Sequence, residues 1–293
     1  RRAGSLVGRA LAVGLSLALA GGVGSDEAEA SRSSLRSAQS WAYQLQGSPT
    51  ALAGSAADVV VVDADHMRGA ASRLRSKPGG GRRVVLAYLS IGEAERWRGY
   101  WKGCCAGTRP SWLTTRTQGW QGNYVVHFWD PAWKAIVRER VRQIMAAGFD
   151  GLYLDRVDTY ESVQAPGGSR AAMIAFVREV AAYARSFKGD AAVLVQNAEE
   201  LLSSDAFLEA IDGIAKEDLF HGVNHDGKRN PAGMVAESVR LLKRAQGRGK
   251  TIFVIEYLSG SSADSVRAEI RRQGVVPFFG GLARLQRTVF VDR

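Results

Sequence analysis

From residue 41 onward, short apolar runs rich in β-branched residues alternate with longer stretches whose apolar positions recur at helical spacing. The runs are Trp41 to Leu45, Val59 to Asp63, Val84 to Tyr88, Gly151 to Asp155, Ala192 to Gln196, Gly213 to Lys216, Ile252 to Glu256 and Val275 to Phe279. Between them, Ile136, Val137, Val141, Ile144 and Met145 in one stretch and Met173, Phe176, Val177, Val180 and Phe187 in another predict amphipathic helices. A strand buried on both faces reads as an unbroken apolar run, so strands of this kind separated by helices predict a parallel sheet covered on its outer face. Eight such units in about 260 residues of the chain predict an α/β fold, a (β/α)8 TIM barrel. A doubly wound open sheet is the alternative.

One further run, Tyr124 to Phe128, does not fit the eightfold pattern. It lies in a long connection between the third run and the helix that starts near Pro131, and that connection carries Trp97, Trp101, Trp112, Trp120, Trp129 and Trp133. In a barrel this connection leaves the C-terminal end of a strand, the face on which active sites are built. Tryptophan stacks on sugar rings, so the cluster points to carbohydrate, with packing within the loop as the plainer explanation.

The first thirty residues read differently. Arg1, Arg2 and Arg9 precede an apolar stretch from Ala10 to Ala20, followed by small residues and Ala28-Glu29-Ala30. This is the layout of a secretory signal peptide, too short in its apolar part to span a bilayer. Residues 1–30 are therefore expected to be a leader and residues 31–293 one domain, secreted, periplasmic or at the cell surface, monomeric and without stable membrane insertion. The hydrophobic share of 46% is that of a globular chain. The net charge of +10 comes mostly from Arg scattered through the helices, as at Arg138, Arg140, Arg142 and Arg240. That scatter is expected of solvated outer faces, and no nucleic-acid partner is expected. Cys104 and Cys105 are adjacent and are expected as an exposed loop feature, with a vicinal disulfide or intermolecular pairing as the other readings.

The candidate chemistry lies in the acids that end strands. Asp63, Asp155 and Glu256 close three of the runs and Glu217 directly follows a fourth, with Glu93, Asp158 and Asn197 just past three. Like charges facing one mouth repel, so several acids there call for a purpose beyond capping. Glycosidic cleavage needs one carboxyl group to protonate the leaving oxygen and another to attack the anomeric carbon or activate water. Asp155 and Glu217, at the ends of the fourth and sixth strands, are the expected catalytic pair. Tyr43, Asp63, Tyr88, Glu93, Asp158, Tyr160, Asn197, Glu256 and Tyr257 are expected to line the sugar subsites. His66, His127, His221 and His225 have no paired metal-ligand spacing, so no metal is expected. The chain also lacks the GxSxG and GxxxxGK[ST] motifs.

Five segments, in this order, carry a family resemblance: Trp41-Ala42-Tyr43-Gln44-Leu45-Gln46, Tyr88-Leu89-Ser90-Ile91-Gly92-Glu93, the stretch from Gly148 to Asp158, Asn197-Ala198-Glu199-Glu200-Leu201-Leu202, and Lys216-Glu217-Asp218. Together they resemble extracellular glycosidases of the endo-α-1,4-polygalactosaminidase type, glycoside hydrolase family 114, over about residues 40 to 285. The resemblance implies a TIM barrel, an exported enzyme with no cofactor, and hydrolysis of α-1,4-linked galactosamine polymers. It places the family's catalytic Asp on Asp155 and its Glu on Glu217. A non-catalytic polysaccharide-binding barrel of the cell surface or matrix is the alternative function.

Overall fold

The computed structural model describes residues 31–105, 107–163, 165–224 and 227–279. The expected leader, residues 1–30, and His225 lie outside the described residues. A helix over residues 31–36, α1, leads into β1 (Trp41–Gln44), α2 (Thr50–Ala53), β2 (Val59–Val62), α3 (Ala70–Leu74) and β3 (Val84–Ser90). An insertion of β4 (Glu93–Glu95), α4 (Gly99–Cys104), β5 (Leu113–Arg116) and β6 (Asn123–Val126) follows. The alternation then resumes with α5 (Pro131–Ala146), β7 (Gly151–Asp155), α6 (Arg170–Phe187), β8 (Ala192–Gln196), α7 (Asp205–Ala210), β9 (Gly213–Glu217), α8 (Ala232–Gly247), β10 (Thr251–Glu256), α9 (Gly260–Arg272) and β11 (Val276–Phe279).

All eight predicted runs are strands of one parallel sheet ordered β1-β2-β3-β7-β8-β9-β10-β11. β1 and β11, at the two ends of that order, lie side by side, so the sheet curls into a TIM barrel. Alternate residues face opposite ways. Trp41, Tyr43, Val59, Val61, Leu86, Tyr88, Tyr153, Leu194, Ala215, Phe253 and Ile255 fill the interior, closed from below by Leu35 and Ala38. Val60, Val62, Val85, Leu152, Leu154, Val193 and Val195 belong to the outer core with Val137, Val141 and Ile144 of α5 and Phe176, Val177 and Val180 of α6. Because both faces are buried, the strands read as unbroken apolar runs. The interior is aromatic: the Trp41 ring stacks on Phe253 at 4.6 Å between centroids.

The lower rim is tied by aspartates that precede strands. Asp58, Asp150 and Asp212 each accept the backbone N–H of a residue within one position of the start of a neighbouring strand, from Ser40, Val85 and Val193 respectively. Asp150 is fully buried and also accepts from Arg82 at 2.7 Å and Lys188 at 2.9 Å. Burial pushes its carboxyl up, but Lys188, the Val85 N–H and Arg82 outweigh burial and hold it below the ordinary 3.8. A depressed folded-state value stabilises the fold above the ordinary value, and the benefit is lost as pH falls through the folded value. The urea midpoint of the wild type should therefore fall further between pH of about 6 and about 3 than that of Asp150→Asn. Equal falls in the two proteins would remove Asp150 from this account.

The run at Tyr124 to Phe128 supplies β6, the central strand of a small antiparallel sheet ordered β4-β6-β5. Val126 and Phe128 are buried, which explains the apolar run outside the barrel count. The expectation for Cys104 and Cys105 is corrected here. They close a vicinal disulfide at the end of α4, and both are half-buried against the outer core. The end of α4 is turned inward: the Cys105 N–H donates to the Trp101 carbonyl, and Trp101 packs on Tyr124 at 5.0 Å.

Candidate active site

A pocket of about 650 Å³ opens at the C-terminal ends of the barrel strands. Alternation determines who reaches it. Tyr153, Leu194 and Ala215 point into the barrel, so two residues on, Asp155, Gln196 and Glu217 do too, at the top of three adjacent strands. By the same count Tyr43, Tyr88 and Tyr257 project inward, and all three line the pocket. The residues just after the strand ends, Arg156, Asn197 and Asp218, take left-handed backbone conformations with φ of 60°, 57° and 50°. Such conformations cost energy in residues other than glycine and concentrate where geometry serves function.

Both carboxylates are held at each oxygen. Asp155 accepts from the Tyr88 hydroxyl at 2.5 Å and from the Arg156 backbone N–H at 2.7 Å. Glu217 accepts from the Tyr257 hydroxyl and from the Asn197 amide at 3.0 Å, while the Asn197 side-chain oxygen takes the Glu217 N–H. Burial, then the charge of Glu217, push the Asp155 carboxyl up to about 7, against the Tyr88 hydrogen bond and the charge of Arg156, which favour the ionised form. Burial also pushes the Tyr88 and Tyr257 hydroxyls well up, so they remain donors.

Of the other expected residues, Glu93, Asp158 and Asn197 line the pocket. Glu93 is 1% exposed and engaged by the Thr117 hydroxyl at 2.7 Å, the Asn123 amide at 2.9 Å and Arg156 at 2.9 Å, so it ties the inserted sheet to the barrel mouth. Gly92 beside it must be glycine, since a Cβ would lie 2.1 Å from the Arg156 carbonyl oxygen. Asp63, Tyr160 and Glu256 are not in the pocket lining. Asp63 is 2% exposed and pairs with Arg98 at 2.7 Å. Glu256 shares the outward register of Ile252 and Val254, is fully buried, and accepts the Phe220 N–H at 2.7 Å. Tyr160 lies in a 3-10 turn beyond β7.

Sequence reasoning missed Gln196, Glu95 and His66 as lining residues. Gln196 is 6% exposed and its amide oxygen has no hydrogen-bond partner. Counting in twos from Leu194 would have found it. The tryptophan cluster divides: Trp112 and Trp133 are core, Trp101 and Trp129 pack against it, and Trp97 and Trp120 line the pocket. In all, the lining carries five carboxylates, Glu93, Glu95, Asp155, Asp158 and Glu217, against one guanidinium, Arg156. Among the described residues no group of three or more His, Cys, Asp or Glu is placed to hold a metal ion. Nor is any helix among them long and apolar enough to cross a membrane.

An uncharacterized protein of Deinococcus radiodurans is 34% identical over 256 residues, covering 84% of this chain and 81% of its own length. One of Thermotoga maritima is 31% identical over 260 residues, covering 81% and 79%. Among solved structures, Aspergillus fumigatus Ega3 in complex with galactosamine superposes with a TM-score of 0.67 at 18% identity, over 86% of this chain and 94% of that one. The glycoside hydrolase domain of PelA from Pseudomonas aeruginosa superposes with a TM-score of 0.65 at 20% identity, over 86% and 98%. At these identities the two structures speak for the fold, whereas the match of residues 24–283 to the model of glycoside-hydrolase family GH114 shows that the chain belongs to that family.

Proposed function

We propose that this chain is an exported hydrolase that cleaves an α-linked amino-sugar polysaccharide of the polygalactosamine kind, with Asp155 as nucleophile or base and Glu217 as general acid/base. The observation that carries the reading is the Asp155–Glu217 pair, facing one pocket whose lining is strongly acidic. A polymer bearing ammonium groups suits that lining. The overall charge of +10 would repel such a polymer at long range, but Arg138, Arg142 and Arg240 are exposed on outer helices, and charges beyond about 8–10 Å are largely screened at physiological salt. The bound galactosamine of Ega3, which shares the fold, supports the same substrate class.

In this reading Glu217 protonates the leaving glycosidic oxygen while Asp155 attacks the anomeric carbon or deprotonates the water that does. Tyr88 and the Arg156 N–H stabilise the Asp155 carboxylate, and Tyr257 and Asn197 orient Glu217. Tyr43, Asp158 and the ends of Tyr88, Asn197 and Tyr257 that face the pocket contact the sugar, with Glu93 setting the wall behind them.

Reducing-end release from partially N-acetylated polygalactosamine, beside a panel of neutral α- and β-glycans, tests the proposal. Release from the amino-sugar polymer is expected, and the anomer formed first, read by NMR, assigns Asp155 as nucleophile if retained or base if inverted. Release from neutral glycans alone would overturn the substrate class. Saturable binding without release from any polymer would favour a non-catalytic polysaccharide-binding barrel.

A further inference from the structure

Trp97 and Trp120 are the two most exposed large hydrophobic side chains among the described residues, at 49% and 50%. Exposed single hydrophobics are ordinary, but these two line the same pocket as Asp155 and Glu217. Both belong to the insertion between β3 and α5: Trp97 follows β4, and Trp120 sits at the turn joining β5 to β6.

The turn is built to present them. Its ends are joined by the Thr117 N–H donating to the Asn123 carbonyl at 2.9 Å, and Gly119 and Gly122 take φ of 80° and 94° on either side of Trp120. A Cβ on Gly122 would meet the Trp97 ring at 3.0 Å, so the glycine leaves room for that indole. The Arg96 N–H donates to the Gly122 carbonyl at 2.8 Å, which locks the two tryptophan-bearing segments together. Glu93 fixes the base of the same turn through Thr117 and Asn123. Trp120 also lines a shallower neighbouring depression with Arg116, Thr117, Gln118, Gly119 and Gln121. A chain leaving the pocket at this side would therefore cross the indole.

We propose that Trp97 and Trp120 form an accessory subsite on the inserted sheet that holds a sugar unit of the same polymer away from the bond being cut, so that affinity depends on chain length. This rests on the glycosidase reading above for its ligand. An indole face takes the apolar face of a sugar ring and attracts an ammonium group, so the subsite suits an amino sugar that has lost its acetyl groups.

The test uses Asp155→Asn as the background, so that binding is measured without turnover. Calorimetry with galactosamine oligomers of increasing length should show Kd falling with length until the subsite is occupied. Trp120→Ala or Trp97→Ala should raise the Kd of long oligomers about three- to thirtyfold, the range of one aromatic–cation contact, and affect the shortest binding oligomer less. Trp120→Phe should recover part of the loss. Equal weakening for short and long oligomers, or none, overturns the subsite, as does a failure of every oligomer to bind. Since the readout is binding, wild-type inactivity on all polymers would overturn the proposed reaction while leaving the subsite to be judged by the length dependence.

Discussion

Asp155→Asn and Glu217→Gln are each expected to lower the rate of polymer cleavage by about 10²–10⁴-fold, the contribution of one positioned proton-transfer group. Neither should lose the fold. Each replacement removes one of the like charges facing the same pocket, and Tm is expected to stay level or rise. The pH dependence adds a sign. Asp155 lies near 7 because burial and Glu217 oppose its ionisation, and in the proposed reaction the ionised form is the one that attacks or abstracts a proton. The wild-type rate should therefore rise with pH through about 7. In Tyr88→Phe the hydrogen bond favouring the carboxylate is gone, so the rising limb should move to higher pH. A rise at an unchanged pH in Tyr88→Phe, or folded Asp155→Asn with wild-type rate, would remove Asp155 from the catalytic role.

Arg98→Ala should produce the largest loss of stability. The Arg98 side chain is 4% exposed and pairs with Asp63 at 2.7 Å, Glu95 at 2.6 Å and Asp65 at 3.0 Å. The partner side chains of Asp63 and Glu95 are only 3% and 6% exposed. Removing the cation strands buried carboxylates, at a cost of about 3–5 kcal/mol. In a domain of this size that is a fall in Tm on the order of 10 °C. Adding Asp63→Asn and Glu95→Gln to Arg98→Ala should return part of it, because the stranded charges are gone. Arg98 also lies 6.0 Å over the Tyr88 ring, the hydrogen-bond donor to Asp155, so activity should fall with stability. A calorimetric loss below about 1 kcal/mol would place the network with exposed ion pairs instead.

Much of this protein is legible along the chain. Continuous apolar runs separated by helical spacing mark all eight barrel strands, because a strand buried on both faces has no polar alternation to blur it. The acids at the ends of β7 and β9 stand out for the same reason, as charge at the close of an apolar run. Asp63 and Glu256 stand out equally, yet neither lines the pocket. For Glu256 the difference was available in the pattern: it keeps step with Ile252 and Val254, whose side chains face the helices, whereas Tyr257 keeps step with Phe253 and Ile255 and points inward. For Asp63 it was not. Its inward register is that of Val59 and Val61, but Arg98, thirty-five positions on, reaches over and takes its charge.

The strand pattern and local spacing thus determined the barrel, its direction and the placing of Asp155 and Glu217 at its mouth, since those depend on burial that repeats every two residues. The tertiary structure alone decided which tryptophans face the pocket, that Glu93 ties the inserted sheet to the mouth, and that Arg98 neutralises Asp63. Each of those depends on a contact between segments distant in sequence, whose energy no local pattern records.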